Sequence, residues 1–330
     1  MHQQQQPRGR WRIGLTLTAL VPSALGVGLV RPGPSAPVLE AAPYVVVLGI
    51  AQDGGVPQAG AKPQSGSSSD ELERHVVSLG VIDPETTERW LIEATPDFPA
   101  QLRALDRIAA APGTPGLRGI FLTHAHMGHY TGLMHLGHEA IGARQVPVYA
   151  MPQMAEYLRT NGPWSQLVRL ENIVIHPLRD GTSVRLNRRL SVTPLLVPHR
   201  QEFSEVVGFR IEGPAKAVLF VPDIDRWDQW DRHGRSLEAE LARVDVAYLD
   251  GTFFADREVG GRDMSAFPHP FITTTMERLR SLPAEERAKV RFIHLNHSNP
   301  ALRPGSDARR AIEAAGFRVA EELERVYLGE

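Results

Sequence analysis

The sequence contains no cysteine among its 330 residues. Disulfides, thiolate metal ligands, a cysteine nucleophile and a lipid-modified cysteine anchor are therefore excluded. Any metal must sit on histidine, aspartate or glutamate. An excess of one charge is also lacking, since 36 Lys and Arg against 38 Asp and Glu leave a formal net charge of −2. That balance gives no basic field to hold a polyanion, so no nucleic-acid partner is expected. Long apolar runs are scarce as well. The single one is the uncharged stretch 13–30, and nothing of that length follows it.

That stretch is preceded by Arg8, Arg10 and Arg12 with no acid among residues 1–12, and is followed by small residues and prolines. A basic region before an apolar core reads as a secretory leader over 1–30, or as an uncleaved anchor if it is retained. The expected location is thus exported, periplasmic or secreted, with membrane contact only if the segment stays uncleaved. Residues 31–43, rich in Pro, Ala and Ser, read as a linker.

From residue 44 onward the chain reads as one large α/β domain, 44–330. An apolar fraction of 42%, with 29 Gly and 26 Pro, fits a folded, loop-rich protein rather than a helical bundle. Short β-branched runs predict strands at 44–50, 75–82, 89–93, 119–123, 145–150, 173–176, 190–197, 206–212, 217–221, 244–249 and 290–295. Helical spacing is seen at 97–111, 151–159, near 235–243 and 273–281, and at 306–315, the last ending at Gly316.

The chemistry-bearing signal is Thr123-His124-Ala125-His126-Met127-Gly128-His129, directly after the predicted strand 119–123. A loop leaving a strand end lets His124 and His126 converge on one ion, while His129 begins the next helix and points at a neighbouring position. A catalytic ion wants three or four protein ligands and an open position. Further donors lie where other predicted strands end: His199, Asp223 and His297. With 13 histidines in the chain, this is the pattern of a site gathered at one sheet edge. His and carboxylate donors suit Zn²⁺ and also admit Fe²⁺ or Mn²⁺.

These residues resemble the metallo-β-lactamase superfamily and, within it, the pyrroloquinoline-quinone (PQQ) biosynthesis protein B branch. The matching pieces are Leu48 to Gln58 (LGIAQDGGVPQ), Glu93 to Asp97 (EATPD), His129 to Leu133 (HYTGL), Asp250 to Phe253 (DGTF) and Phe292 to Pro300 (FIHLNHSNP). The resemblance implies a four-layer αββα sandwich with the active site at the shared edge of two sheets. Carried over by position, it implies that His124, His126 and His199 hold a first ion, that Asp223 bridges, and that His129 with His297 holds a second. Superfamily hydrolases usually carry Asp immediately before the third motif histidine. Here that position is Gly128, which implies one tight zinc and a weaker second site.

The activity this implies is metal-dependent hydrolysis of an ester, lactone, amide or phosphodiester in a small molecule, with Asp223 and His297 at the reacting centre. Asp53, Asp225, Asp250, His269 and His294 are candidates for substrate contact or for support of the ligands. Trp227, Trp230, Phe253 and Phe254 are candidates for a pocket wall or for core. Two alternatives stand beside hydrolysis. One is an iron-dependent oxidative or accessory role in PQQ biosynthesis. The other is a binding module whose chemistry has decayed at Gly128.

Overall fold

A computed structural model describes residues 41–61 and 72–329. The expected leader 1–30, nearly all of the linker 31–43 and part of the loop 59–70 lie outside them. The described residues all belong to one contact-defined unit, Pro37–Glu330.

The first half runs β1 (Tyr44–Gly49), β2 (Ser78–Asp83), β3 (Glu88–Ile92), α1 (Phe98–Ile108), β4 (Gly119–Phe121), α2 (Met127–Tyr130), β5 (Val146–Ala150), α3 (Pro152–Thr160), α4 (Trp164–Arg169) and β6 (Ile173–Pro177). The second half runs β7 (Val184–Arg185), β8 (Ser191–Leu196), β9 (Val207–Glu212), β10 (Ala217–Val221), α5 (Trp227–Arg232), α6 (Leu237–Leu241), β11 (Val246–Asp250), α7 (Ile272–Leu279), α8 (Ala284–Arg287), β12 (Val290–Ile293), α9 (Asp307–Ala314), β13 (Arg318–Val319) and β14 (Arg325–Tyr327). Two seven-stranded sheets result, ordered β14-β1-β2-β3-β4-β5-β6 and β13-β12-β11-β10-β9-β8-β7. In the first, pairing is antiparallel from β14 to β3 and parallel from β3 to β6. The second repeats this scheme, antiparallel from β7 to β10 and parallel from β10 to β13.

Alternation along β1 shows how the layers form. Val45 and Val47 belong to the core between the sheets, with Phe209, Ile211 and Phe220. Tyr44, Val46 and Leu48 point the other way, toward α1, into a second core that holds Phe98 and Leu105 of α1 and extends to Met154 and Leu158 of α3. Period-two burial on both faces is what a strand inside a layered fold requires. The second sheet is covered on its far side by α5, α6, α7 and α9 through Trp230, Leu241, Ile272 and Ile312. The four-layer αββα arrangement is thus present.

Trp227 and Trp230 belong to this core, donating their indole N–H to Thr275 Oγ1 and the Leu196 carbonyl. Burying an indole with its donor satisfied accounts for both residues, so they do not wall a pocket. The sheets meet at one edge, where Leu295 donates to the Ile50 carbonyl at 2.8 Å and Gln52 to the Leu295 carbonyl at 2.9 Å. The loop after β1 is thereby fastened to the loop after β12. Among the described residues no helix is long and apolar enough to cross a membrane.

Candidate metal centre

The C-terminal ends of β1, β4, β8, β10 and β12 converge at this edge. Their following loops present Asp53, the 124–129 histidines, His199, Asp223 and His294. Three donor groups form here, each with ligand atoms within 4.8 Å of one another: His124, His126, His199 and Asp223; Asp53, His129 and His294; Asp223, His269 and His294.

Asp223 lies at the centre, 3% exposed. Its Oδ1 is 3.2 Å from His199 Nε2 and 3.3 Å from His269 Nδ1. Its Oδ2 is 3.4 Å from His124 Nε2, 3.5 Å from His129 Nε2 and 3.8 Å from His294 Nε2. A carboxylate with separate oxygens facing different histidines is arranged to bridge. Burial opposes its ionisation, but the charges of His199, His294 and His269 outweigh that and hold it well below the usual carboxylate range.

The imidazoles are held from behind. Thr123 Oγ1 is 2.8 Å from His124 Nδ1, Asp225 Oδ1 is 2.7 Å from His199 Nδ1, and Thr252 Oγ1 is 2.9 Å from His294 Nδ1. Glu93 Oε1 faces His129 Nδ1 at 3.4 Å. Each contact leaves the far nitrogen, Nε2, aimed into the site, which is how buried partners fix the tautomer and orientation of ligating histidines. Asp250 anchors the next layer, accepting from the Thr252 amide and hydroxyl and from the Ile224 amide, with His269 Nδ1 at 2.9 Å. Burial lowers the His269 pKa, but the charges of Asp250 and Asp223 outweigh this and raise it to about 9. Burial and the charge of His129 push His124 well down.

The fit to a divalent cation rests on unmet bonding. His129 Nε2, His199 Nε2, His294 Nε2, Asp223 Oδ1 and Asp53 Oδ1 are all buried without a hydrogen-bond partner. Leaving one buried polar atom unpaired costs about 1–3 kcal/mol, and native proteins do so rarely. Five such atoms, all imidazole nitrogens or carboxylate oxygens facing one space, match the donor chemistry of Zn²⁺ or another first-row divalent ion.

Of the sequence-predicted ligands, His124, His126, His129, His199 and Asp223 converge. His297 does not, since it belongs to none of the donor groups among the described residues, and His294 stands where it was expected. The reason is local. β12 ends at Ile293, and His294 adopts a left-handed φ of 63°, from which its Nε2 comes within 3.6 Å of Asp53 Oδ1. Asn296 Oδ1 then accepts from the Ser298 amide, turning the chain into the short 3-10 helix Pro300–Leu302.

Asp53, expected only to contact substrate or support ligands, stands in a group that could hold an ion. Its Oδ1 is 3.1 Å from His129 Nε2. Burial opposes its ionisation, but the neighbouring His129 and His294 imidazoles outweigh that and hold it far below the carboxylate range. A carboxylate thus stands beside His129 and His294, although position 128 carries none. Asp225, Asp250 and His269 stand where supporting groups were expected.

Glu93 was missed as a functional residue. It is fully buried with φ 78°, a conformation costly for a non-glycine side chain, and its place at the end of β3 was the available signal. At the mouth, Glu202 Oε2 is 3.0 Å from His126 Nε2. Phe203 beside it is 60% exposed and Met127 is 74% exposed, so the rim combines a carboxylate with apolar side chains.

A family model described as "Beta-lactamase superfamily domain" matches residues 88–287. The chain is 25% identical over 302 residues to "Coenzyme PQQ synthesis protein B" of Methylorubrum extorquens (strain PA1), covering 84% of this chain and 98% of the relative. Among solved structures, Zn(2+)-bound PqqB from Methylobacterium extorquens superposes with a TM-score of 0.71 at 23% identity, over 86% of this chain and 99% of the other. A diphosphatase from the PhnP family superposes with a TM-score of 0.60 at 20% identity, over 86% and 96%. At these identities the two superpositions establish the fold.

Proposed function

Because the chain belongs to the beta-lactamase superfamily, we propose that it is a metal-dependent hydrolase acting on an ester, lactone, amide or phosphodiester bond of a small molecule. The observation that carries this reading is the set of orphaned donor atoms around Asp223. His124, His126 and His199 with Asp223 would hold a first ion, and Asp53, His129 and His294, sharing Asp223, a second. A divalent cation so held supplies Lewis-acid polarisation of the substrate and a water whose pKa falls from 15.7 toward about 7. Zinc in the similarly folded structure supports zinc here.

The chain's own residues do the rest. Glu93, Thr123, Asp225 and Thr252 fix the rings of His129, His124, His199 and His294, so that none must reorganise during reaction. His269 keeps a proton on Nδ1 between Asp250 and Asp223. Phe203 and Met127 offer apolar surface to the part of the substrate outside the centre.

Metal analysis of the purified protein beside His126→Ala, with a screen of chromogenic esters and phosphodiesters, tests the proposal. At least one tightly held equivalent is expected in the parent, with hydrolysis falling 100-fold or more in the variant. Less than one equivalent in the parent, or equal hydrolysis in both, overturns it.

A second reading is supported by similarity along 98% of a PQQ synthesis protein B: an iron-dependent oxidative or accessory step in PQQ biosynthesis. Oxygen consumption by the iron-loaded protein, with no ester hydrolysis by the zinc form, selects it. We also place the protein in an exported compartment, supported by Arg8, Arg10 and Arg12 ahead of the uncharged 13–30 stretch. Amino-terminal sequencing of the mature chain tests that placement.

A further inference from the structure

The geometry points to Asp53 as the carboxylate of the second cation position, delivered by a backbone approach that only glycine at position 128 permits. The inference rests on the cation-binding part of the proposed function and not on hydrolysis.

A Cβ built on Gly128 would fall on the Asp53 side chain and lie 2.5 Å from the Asp53 Cα. Real Cβ atoms do not approach other heavy atoms so closely, and a backbone atom cannot swing aside as a side-chain tip can. The β1 loop therefore lies flush against the first turn of α2. That contact brings Asp53 Oδ1 to 3.1 Å from His129 Nε2 and 3.6 Å from His294 Nε2. The oxygen is buried and has no hydrogen-bond partner, the condition of a ligand atom rather than of a surface carboxylate.

The loop is not free to drift from this position. Gln52 donates through its backbone to the Leu295 carbonyl at 2.9 Å, its side-chain Oε1 accepts from Asn296 Nδ2, and Gly55 closes a turn on the Gln52 carbonyl at 2.8 Å. Ala51 also bridges Val76 and Leu295, one in each half of the fold. Asp53 is thus set between the two halves by backbone contacts on both sides.

In this geometry the absence of a side chain at position 128 is the requirement for a carboxylate arriving from residue 53. Two consequences distinguish this from a decayed site. Adding a carboxylate at 128 does not gain a ligand, because it displaces the loop that already carries one. Adding a single methyl group there loses a ligand, although alanine removes no donor atom.

The test is zinc stoichiometry of the full chain, by elemental analysis after equilibration with zinc and by the visible spectrum of the cobalt-substituted protein. The parent should hold two equivalents. Asp53→Asn and Gly128→Ala should each hold one, their double variant no fewer, and Gly128→Asp should not exceed one. Two equivalents in Asp53→Asn overturn the assignment of Asp53. Two in Gly128→Ala, with one in Asp53→Asn, overturn the dependence on glycine. If Gly128→Ala does not fold, Asp53→Asn alone decides the ligand. A parent holding a single equivalent overturns the second position while leaving hydrolysis at the four-donor group standing. A parent holding none overturns both.

Discussion

Glu93 Oε1 and His129 Nδ1 face each other at 3.4 Å, and both side chains are fully buried. Glu93 holds this position with a backbone φ of 78°, so its conformation is maintained at a cost by its surroundings. The relationship makes Glu93 the group that presents His129 Nε2 to the centre. Glu93→Gln preserves shape and removes the charge. It should weaken cation binding at the His129 position about 10- to 100-fold, with little change at the His124, His126 and His199 position. Competitive titration with a chromophoric chelator separates the two, and equal weakening of both would contradict the assignment.

Chelation should cost stability. A ligand at about 100 times its Kd stabilises the native state by about 2.7 kcal/mol, which for a domain of this size is a fall in Tm on the order of 5 °C on removal. Thermal unfolding with and without a strong chelator measures it. His199→Ala should show a reduced shift. A chelator-independent Tm in the parent would argue against tight binding.

A structural prediction lies far from the centre, at Arg89. Its guanidinium, on a residue 1% exposed, donates to the carbonyls of Gly116, Ala109 and Pro115 and to Asp106. It ties the segment after α1 to β3. Arg89→Met fills similar volume but leaves three carbonyls unmet, and should lower unfolding stability by about 3–5 kcal/mol. Urea unfolding measures this, and a loss under 1 kcal/mol would refute it.

The Asp83–Arg189 pair gives a pH dependence. Asp83, fully buried, accepts from Arg189 and from Asn187 Nδ2 at 2.8 Å. Burial raises its pKa, but the Arg189 and Asn187 hydrogen bonds outweigh this and bring it below 3.8. With the folded value depressed, the pair's contribution is fully present above the unfolded value and is lost as pH falls through the folded one. Asp83→Asn should cost about 2 kcal/mol at pH 6, less than a wholly buried pair because Arg189 is partly solvated. The gap from the parent should narrow on acidification below pH 3.8. Urea unfolding at pH 6 and pH 3 checks the sign.

Much of this architecture is legible in the sequence because strands and helices here are short and cleanly patterned. The run Ala217–Val221 is a strand at the predicted bounds, bordered by Pro and Lys, and Ser306 caps α9 through its side chain as its position suggests. The two-residue strands β7 and β13 were not legible. Their pairing is set by neighbouring strands rather than by any pattern of their own.

At the centre, donors beside a strand end were found because spacing along one loop carries them, as for His124, His126 and His129. Spacing cannot say which of two histidines three residues apart turns inward. That choice between His294 and His297 depends on one backbone angle after β12. Nor can it reveal that Asp53 fills the space beside Gly128, because the two meet only when the sheets close on each other.

The pairing of β14 with β1, Tyr44 opposite Tyr327, has a consequence for the life of the newly made chain. Leu323 and Leu328 complete the seam by donating to the carbonyls of Val47 and Pro43. One edge of β1 therefore has no neighbour until residues 323–328 have been made, a delay of roughly ten seconds or more at about 5–20 residues per second. During that interval Val45 and Val47 are poised to recruit strangers. Deleting residues 323–328 would make that vulnerability permanent, and aggregation of the shortened chain is the expected result.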